Sequence, residues 1–126
     1  MKRPRKARAP IPTEKAIASA IKSRLAFYGC LVQANPNEER SKRAGSARKI
    51  EHTISGFPDL TVIGRDGRIA FLELKRPGAK PTPSTQAHWD RQAEVRDTLA
   101  RMGHVAVIVR SQDDAFAVLQ DAGWFA

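Results

Sequence analysis

Two β-forming runs, residues 60–63 and 69–75, are joined by Gly64-Arg65-Asp66-Gly67, and this hairpin constrains the chain more than any other feature. A three-residue loop, Arg65-Asp66-Gly67, with Gly67 left-handed, is a favoured hairpin connection. It closes Gly64 against Arg68 and, carried back along both strands, sets Asp59 directly opposite Glu73. Opposed side chains share a face with their Cβ atoms ~5 Å apart. Strand alternation then puts Lys75 on that same face and Leu74 on the other. The competing connection is a two-residue Asp66-Gly67 turn. It would send the two acids to opposite faces, with Asp59 capping a turn and Glu73 and Lys75 forming a surface ion pair. The run Ile-Ala-Phe-Leu-Glu-Leu-Lys favours the first register, because a solvent-facing position for Glu73 is unnatural in so apolar a strand.

In that register the chemistry is specific. Two carboxylates so close repel each other, and one is protonated unless a cation sits between them. An oxygen pair with open positions suits Mg²⁺ or Mn²⁺, which keep several waters and bind substrate phosphate. Lys75 is placed to orient or deprotonate a water, or to steady charge developing on a phosphate. With a metal to polarise the phosphoryl oxygen, Asp59, Glu73 and Lys75 suffice for phosphodiester hydrolysis.

The rest of the chain fits around the hairpin as one domain. Residues 1–12 carry five Lys/Arg and three Pro and are expected to form an extended basic arm, with a single domain over residues 13–126. Thr13 is an N-cap for a helix over about residues 14–28, with Ile17, Ala18, Ile21, Leu25 and Tyr28 as its apolar stripe and Gly29 at its end. Residues 31–35 read as a short strand, and residues 36–58 as a long polar stretch. A second helix should cover about residues 84–102, capped by Thr82 or Ser84 and ended at Gly103. The apolar run at residues 105–109 is expected to be a strand covered on both faces. Ser111 can cap a last helix through about Gln120, with Asp113 and Asp114 in its first turn. The order α-β-β-β-α-β-α describes an α/β fold, a small mixed β-sheet flanked by helices.

Charge is distributed unevenly. Residues 1–50 hold 13 Lys/Arg against 3 acids, +10, and residues 51–126 hold 9 against 10, −1, which together make the net +9. Such a basic half points to a polyanion, most commonly nucleic acid. A solvated charged face or an anionic membrane surface is the alternative. Arg40, Lys42, Arg43, Arg48 and Lys49, with the arm, are the candidate DNA-backbone contacts, which position a substrate without reading its sequence. No stretch approaches the roughly 20 apolar residues of a membrane span. Cys30, the only cysteine, excludes an internal disulfide and a Cys-based zinc site, and an intracellular, reducing compartment fits it best.

Further polar residues fall near this constellation. Glu14 sits at the centre of the first helix's apolar stripe, where it is either a partner to the metal site or a first-turn acid on the helix dipole. Gln86 opens the second helix and is either a site residue or an ordinary first-turn polar one. His88 shares a stripe with Gln92, Val95, Leu99 and Met102 and reads as a packed or half-buried histidine. Trp89 and Trp124 read as packing residues.

This ordered set is similar to a stand-alone VRR-NUC domain, a branch of the PD-(D/E)XK nuclease superfamily. The elements that carry the resemblance are Glu14, Gly56-Phe57-Pro58-Asp59, Glu73-Leu74-Lys75, Gln86 with Trp89, Gly103, and Ser111-Gln112-Asp113-Asp114-Ala115, spanning about residues 13–119. The resemblance implies a restriction-endonuclease-like core in which Asp59, Glu73 and the Leu74 carbonyl bind Mg²⁺ or Mn²⁺. It further implies Lys75 as the catalytic lysine, Glu14 and Gln86 as accessory residues, a homodimer, and branched DNA as substrate. The segment Thr82-Pro83-Ser84-Thr85-Gln86 is one residue longer than the family's usual spacing. A catalytically silent DNA-binding module on the same fold, and a basic protein binding RNA or an acidic partner through its first half, are the rival readings. Clustered acids that repel phosphate argue against the first rival.

Overall fold

A computed structural model describes residues 10–36 and 53–125. The expected order is observed: α1 (Glu14–Phe27), β1 (Leu31–Ala34), β2 (Leu60–Ile63), β3 (Ile69–Leu74), α2 (Gln86–Arg101), β4 (Val105–Val109) and α3 (Gln112–Asp121). The strands form one sheet in the order β1-β2-β3-β4, antiparallel except for the parallel β3–β4 pair.

Local signals explain the element ends. Thr13 Oγ1 accepts from the amide of Ala16 at 3.1 Å, and Ser111 Oγ accepts from that of Asp114 at 3.0 Å, so both expected caps are in place. The hairpin closes through the three-residue loop: Gly64 N donates to Arg68 O at 2.8 Å, and Gly67 has φ 87°. Ile63 pairs with Ile69 and Leu60 with Leu72, so the register is the one that brings the acids to a common face.

Two boundaries differ from expectation. The N-cap of α2 is Thr85, not Thr82 or Ser84, and it makes no side-chain cap bond. Its hydroxyl instead accepts from Thr82 N at 2.8 Å, so the three hydroxyl residues spend their bonds on the turn that precedes the helix. The strand β4 is not sealed on both faces; only Val109 is fully buried, because β4 is an edge of the sheet.

The helices cover the sheet unequally. On one face α1 and α3 pack together, and Ile17, Ile21, Leu25, Leu60, Val62, Leu72, Leu74 and Leu119 close the apolar core with Cys30, whose thiol pKa is pushed up by burial. On the other face α2 lies mainly against β4 and buries only Gln92 completely. His88 and Met102, expected on its packed stripe, are exposed. The inward stripe runs instead through Trp89, Gln92, Val95, Arg96 and Leu99, all at least half-buried. Among the described residues no helix is long and apolar enough to cross a membrane.

Candidate active site

The backbone at Gly56-Phe57-Pro58 delivers Asp59 to the start of β2. Gly56 has φ 82°, and a Cβ there would stand 3.0 Å from the Arg91 backbone of α2, so this close crossing of loop and helix requires glycine. Asn35 secures the other side, donating through Nδ2 to Pro58 O at 3.0 Å and through its backbone amide to Asp59 O at 2.8 Å. Asp59 Oδ2 then accepts from the amide of Leu74 at 2.7 Å, which locks the carboxylate against β3 beside Glu73.

Glu73 is 1% exposed. Its Oε1 accepts from Gln92 Nε2 and lies 3.6 Å from Lys75 Nζ, while its Oε2 is buried with no hydrogen-bond partner. Burial first, then the charge of Asp59 and a proton-sharing hydrogen bond with its carboxyl, raise its pKa from 4.5 to about 8, against the opposing pull of Lys75 and Arg96. Lys75, also buried, donates to Gln92 Oε1 at 2.8 Å and holds its Nζ 4.2 Å from the centre of the Trp89 ring. Phe57, Phe71 and His104 meet edge to face beside this cluster, with centroids 5.5 Å apart at each step.

The structure therefore brings Asp59, Glu73 and Lys75 together on the face that α2 overlooks. Glu14, half-buried, opens α1 at the same end of β3, where Arg76 donates to the carbonyls of Ile11 and Pro12. Gln86 is not brought in. It is exposed at the start of α2 and donates to Asp90 at 2.8 Å. The glutamine that meets the site is Gln92, which bridges Glu73 and Lys75. Six residues turn a helix by about 240° beyond one full revolution, so Gln86 and Gln92 cannot share a face. A usable signal was present: Gln92 stands in a stripe otherwise read as packing, and a buried amide requires partners. Arg40, Lys42, Arg43, Arg48 and Lys49 lie outside the described residues.

A divalent cation fits the donor set. Glu73 Oε2 is a buried carboxyl oxygen with no donor against it, and the neighbouring Asp59 opposes its ionisation, so without a metal the pair keeps a proton where a cation could sit. Asp59 and Glu73 could hold the ion. Among the described residues no group of three or more His, Cys, Asp or Glu is arranged for a metal, so side chains offer two acidic ligands at this point. Hard cations that retain several waters accept so sparse a set.

Comparisons with known proteins bear on the fold. No family model matches the chain. A solved structure described as a VRR_NUC domain superposes with a TM-score of 0.57 at 24% identity, covering 85% of this chain and 94% of the other. A second, a VRR_NUC domain protein, gives 0.56 at 22% identity, covering 90% and 89%. A protein of Acyrthosiphon pisum secondary endosymbiont phage 1, "Putative nuclease p44", is 38% identical over 58 residues, 46% of this chain. The chain spans 55% of that relative's length.

Proposed function

With the VRR-NUC fold, a restriction-endonuclease-like α/β core, as the premise, we propose that the chain is a divalent-metal-dependent endonuclease that hydrolyses DNA phosphodiester bonds. The observation that carries this is the buried Glu73 carboxyl, its Oε2 without a donor, held against Asp59 and within reach of a fixed lysine. A merely structural role leaves that arrangement costly and unexplained, since burying one carboxyl against another opposes its ionisation. The proposal extends to a single domain over residues 13–126 working inside the cell as a homodimer on branched or distorted DNA. The basic segments would take the phosphate backbone.

Mg²⁺ or Mn²⁺, held by Asp59 and Glu73 with the Leu74 carbonyl, would supply Lewis-acid polarisation of the phosphoryl oxygen and an acidified water. The chain's own residues do the rest. Asp59 is oriented by the Leu74 amide, so its carboxylate enters at a set angle. Gln92 fixes both partners at once, donating to Glu73 and accepting from Lys75. Between that carbonyl and the Trp89 ring, the Lys75 ammonium is held where it can steady negative charge on the phosphate. Water adds to phosphorus, the P–O bond to one sugar oxygen breaks, and the water's proton balances the departing alkoxide. Glu14 is kept as an accessory residue of the site.

The test is cleavage of linear, flapped and four-way-junction DNA in Mg²⁺, Mn²⁺ or EDTA, with Asp59→Ala and Lys75→Ala alongside. Metal-dependent cutting by the wild type, lost in both variants, is expected. Binding by all three proteins with no cutting under any condition overturns the enzymatic reading and leaves a binding module.

A further inference from the structure

The exposed side chain of Arg76 reaches back to the first described residues of the chain. Its Nε donates to Pro12 O at 3.1 Å and its Nη2 to Ile11 O at 3.2 Å, so one guanidinium fork holds two successive carbonyls. Arg76 directly follows Lys75, and its own backbone is fixed. Its carbonyl accepts from Arg110 Nη1 at 2.8 Å and from Ala79 N at 3.0 Å, and the Lys75 amide before it donates to Val109 O at 3.2 Å. The grip therefore starts from a braced point at the end of β3 where Glu73 and Lys75 stand.

What is gripped is stiff. Pro10 and Pro12 have a restricted φ, and each holds the residue before it extended. Residues 10–13 form neither helix nor strand, and an extended segment of this kind leaves its carbonyls to outside donors. The helix does not need the bonds, since Thr13 already caps α1. Holding two neighbouring carbonyls of a stiff segment sets the direction of the chain there as well as its position. Toward the N-terminus the sequence continues with Arg8, Lys6, Arg5, Arg3 and Lys2, with no acid among residues 1–12. Full extension limits Arg8 to about 14 Å from Pro12, and Lys2 to about 35 Å.

Resting on the nuclease reading above, we infer that Arg76 is a positioning residue that aims the basic N-terminal segment along the DNA duplex flanking the cut. There the five side chains neutralise backbone phosphates. Arg76 acts through that segment and not by touching substrate. At a rise of about 3.4 Å per base pair, these contacts fall within about ten base pairs of the site.

Equilibrium binding of a labelled four-way junction tests this at several salt concentrations, with Ca²⁺ present and the DNA checked intact afterwards. The full-length proteins are wild type, Arg76→Met, Arg76→Lys, a chain with Lys2, Arg3, Arg5, Lys6 and Arg8 all changed to Gln, and that chain carrying Arg76→Met. Folding is verified by circular dichroism. Neutralising the segment should make the slope of log affinity against log salt shallower by about four. Arg76→Met should weaken binding about fivefold in the wild-type background and change nothing in the neutralised one, because residues acting as a unit do not add. Arg76→Lys should match Arg76→Met, since it keeps the charge and loses the fork.

An equal loss from Arg76→Met in both backgrounds, or wild-type affinity in Arg76→Lys, means that Arg76 acts by its own charge and overturns the inference. Wild-type affinity in Arg76→Met, an unchanged slope in the neutralised chain, or failure of Arg76→Met to fold overturns it too. In all these cases metal-dependent cutting by the wild type leaves the nuclease reading standing. A wild type that neither binds nor cuts DNA removes that reading, and this inference with it.

Discussion

The two faces of β3 are equally hidden but differ in what they hide. Ala70, Leu72 and Leu74 turn toward α1 and α3 and join an apolar core, while Phe71, Glu73 and Lys75 turn toward α2. Leu72 is 0% exposed and Glu73 is 1% exposed. Burial on the first face removes apolar surface from water and stabilises the fold. Burial on the second strips a carboxylate of solvent beside another carboxylate, which opposes folding unless a charge partner arrives. A single strand thus separates a face that maintains the fold from a face that buries charged groups under α2.

This contrast can be broken most sharply at Leu72. Leu72→Ala should cost about 2–5 kcal/mol of stability, read by chemical denaturation, because it leaves a cavity where two helices meet the sheet. A loss under 1 kcal/mol would mean that the core face is not the stabilising one. Glu73→Gln should act in the opposite direction. It removes a buried charge beside Asp59, so the metal-free protein should gain about 1 kcal/mol or more above pH 8, while any metal-dependent cutting disappears. If the variant is less stable than wild type at that pH, Glu73 is not the electrostatic burden described.

The pH dependence sharpens the same point. Glu73 titrates near 8 in the fold against 4.5 when unperturbed. Through that interval the folded chain holds a proton that the unfolded chain has released, so folding is favoured by low pH. The contribution of Glu73 is complete below about 4.5 and fades as pH rises to about 8. Thermal melts of metal-free protein across this window should fall with pH, and Mg²⁺ or Mn²⁺ should flatten the fall. The slope should be absent in Glu73→Gln. The smallest effect belongs to the caps: Thr13→Ala should cost ~1 kcal/mol without altering the site's pH response, since its bond to Ala16 serves α1 alone.

Much of this was legible before any coordinates. The Arg65-Asp66-Gly67 loop fixed the register, and register alone determined that Asp59, Glu73 and Lys75 share a face. The caps at Thr13 and Ser111 followed from side chains three residues from the amides they serve. The contents of α2 were less legible. Its helical period was plain, but its inward direction was not, because a helix with few apolar residues does not announce which stripe faces the sheet. The helical period points His88 inward, yet it is exposed, and the family resemblance puts Gln86 at a site that Gln92 meets instead. Trp89 was read as packing and also carries the lysine's charge on its ring.

By itself the sequence determined the element order, the hairpin register and the triad, because these depend on contacts between near neighbours along the chain and on strand alternation. The rotation of α2 and the bridging amide of Gln92 were decided by tertiary structure. They depend on how a polar helix seats over a distant strand, and charge and shape across that gap, not local periodicity, choose the seat.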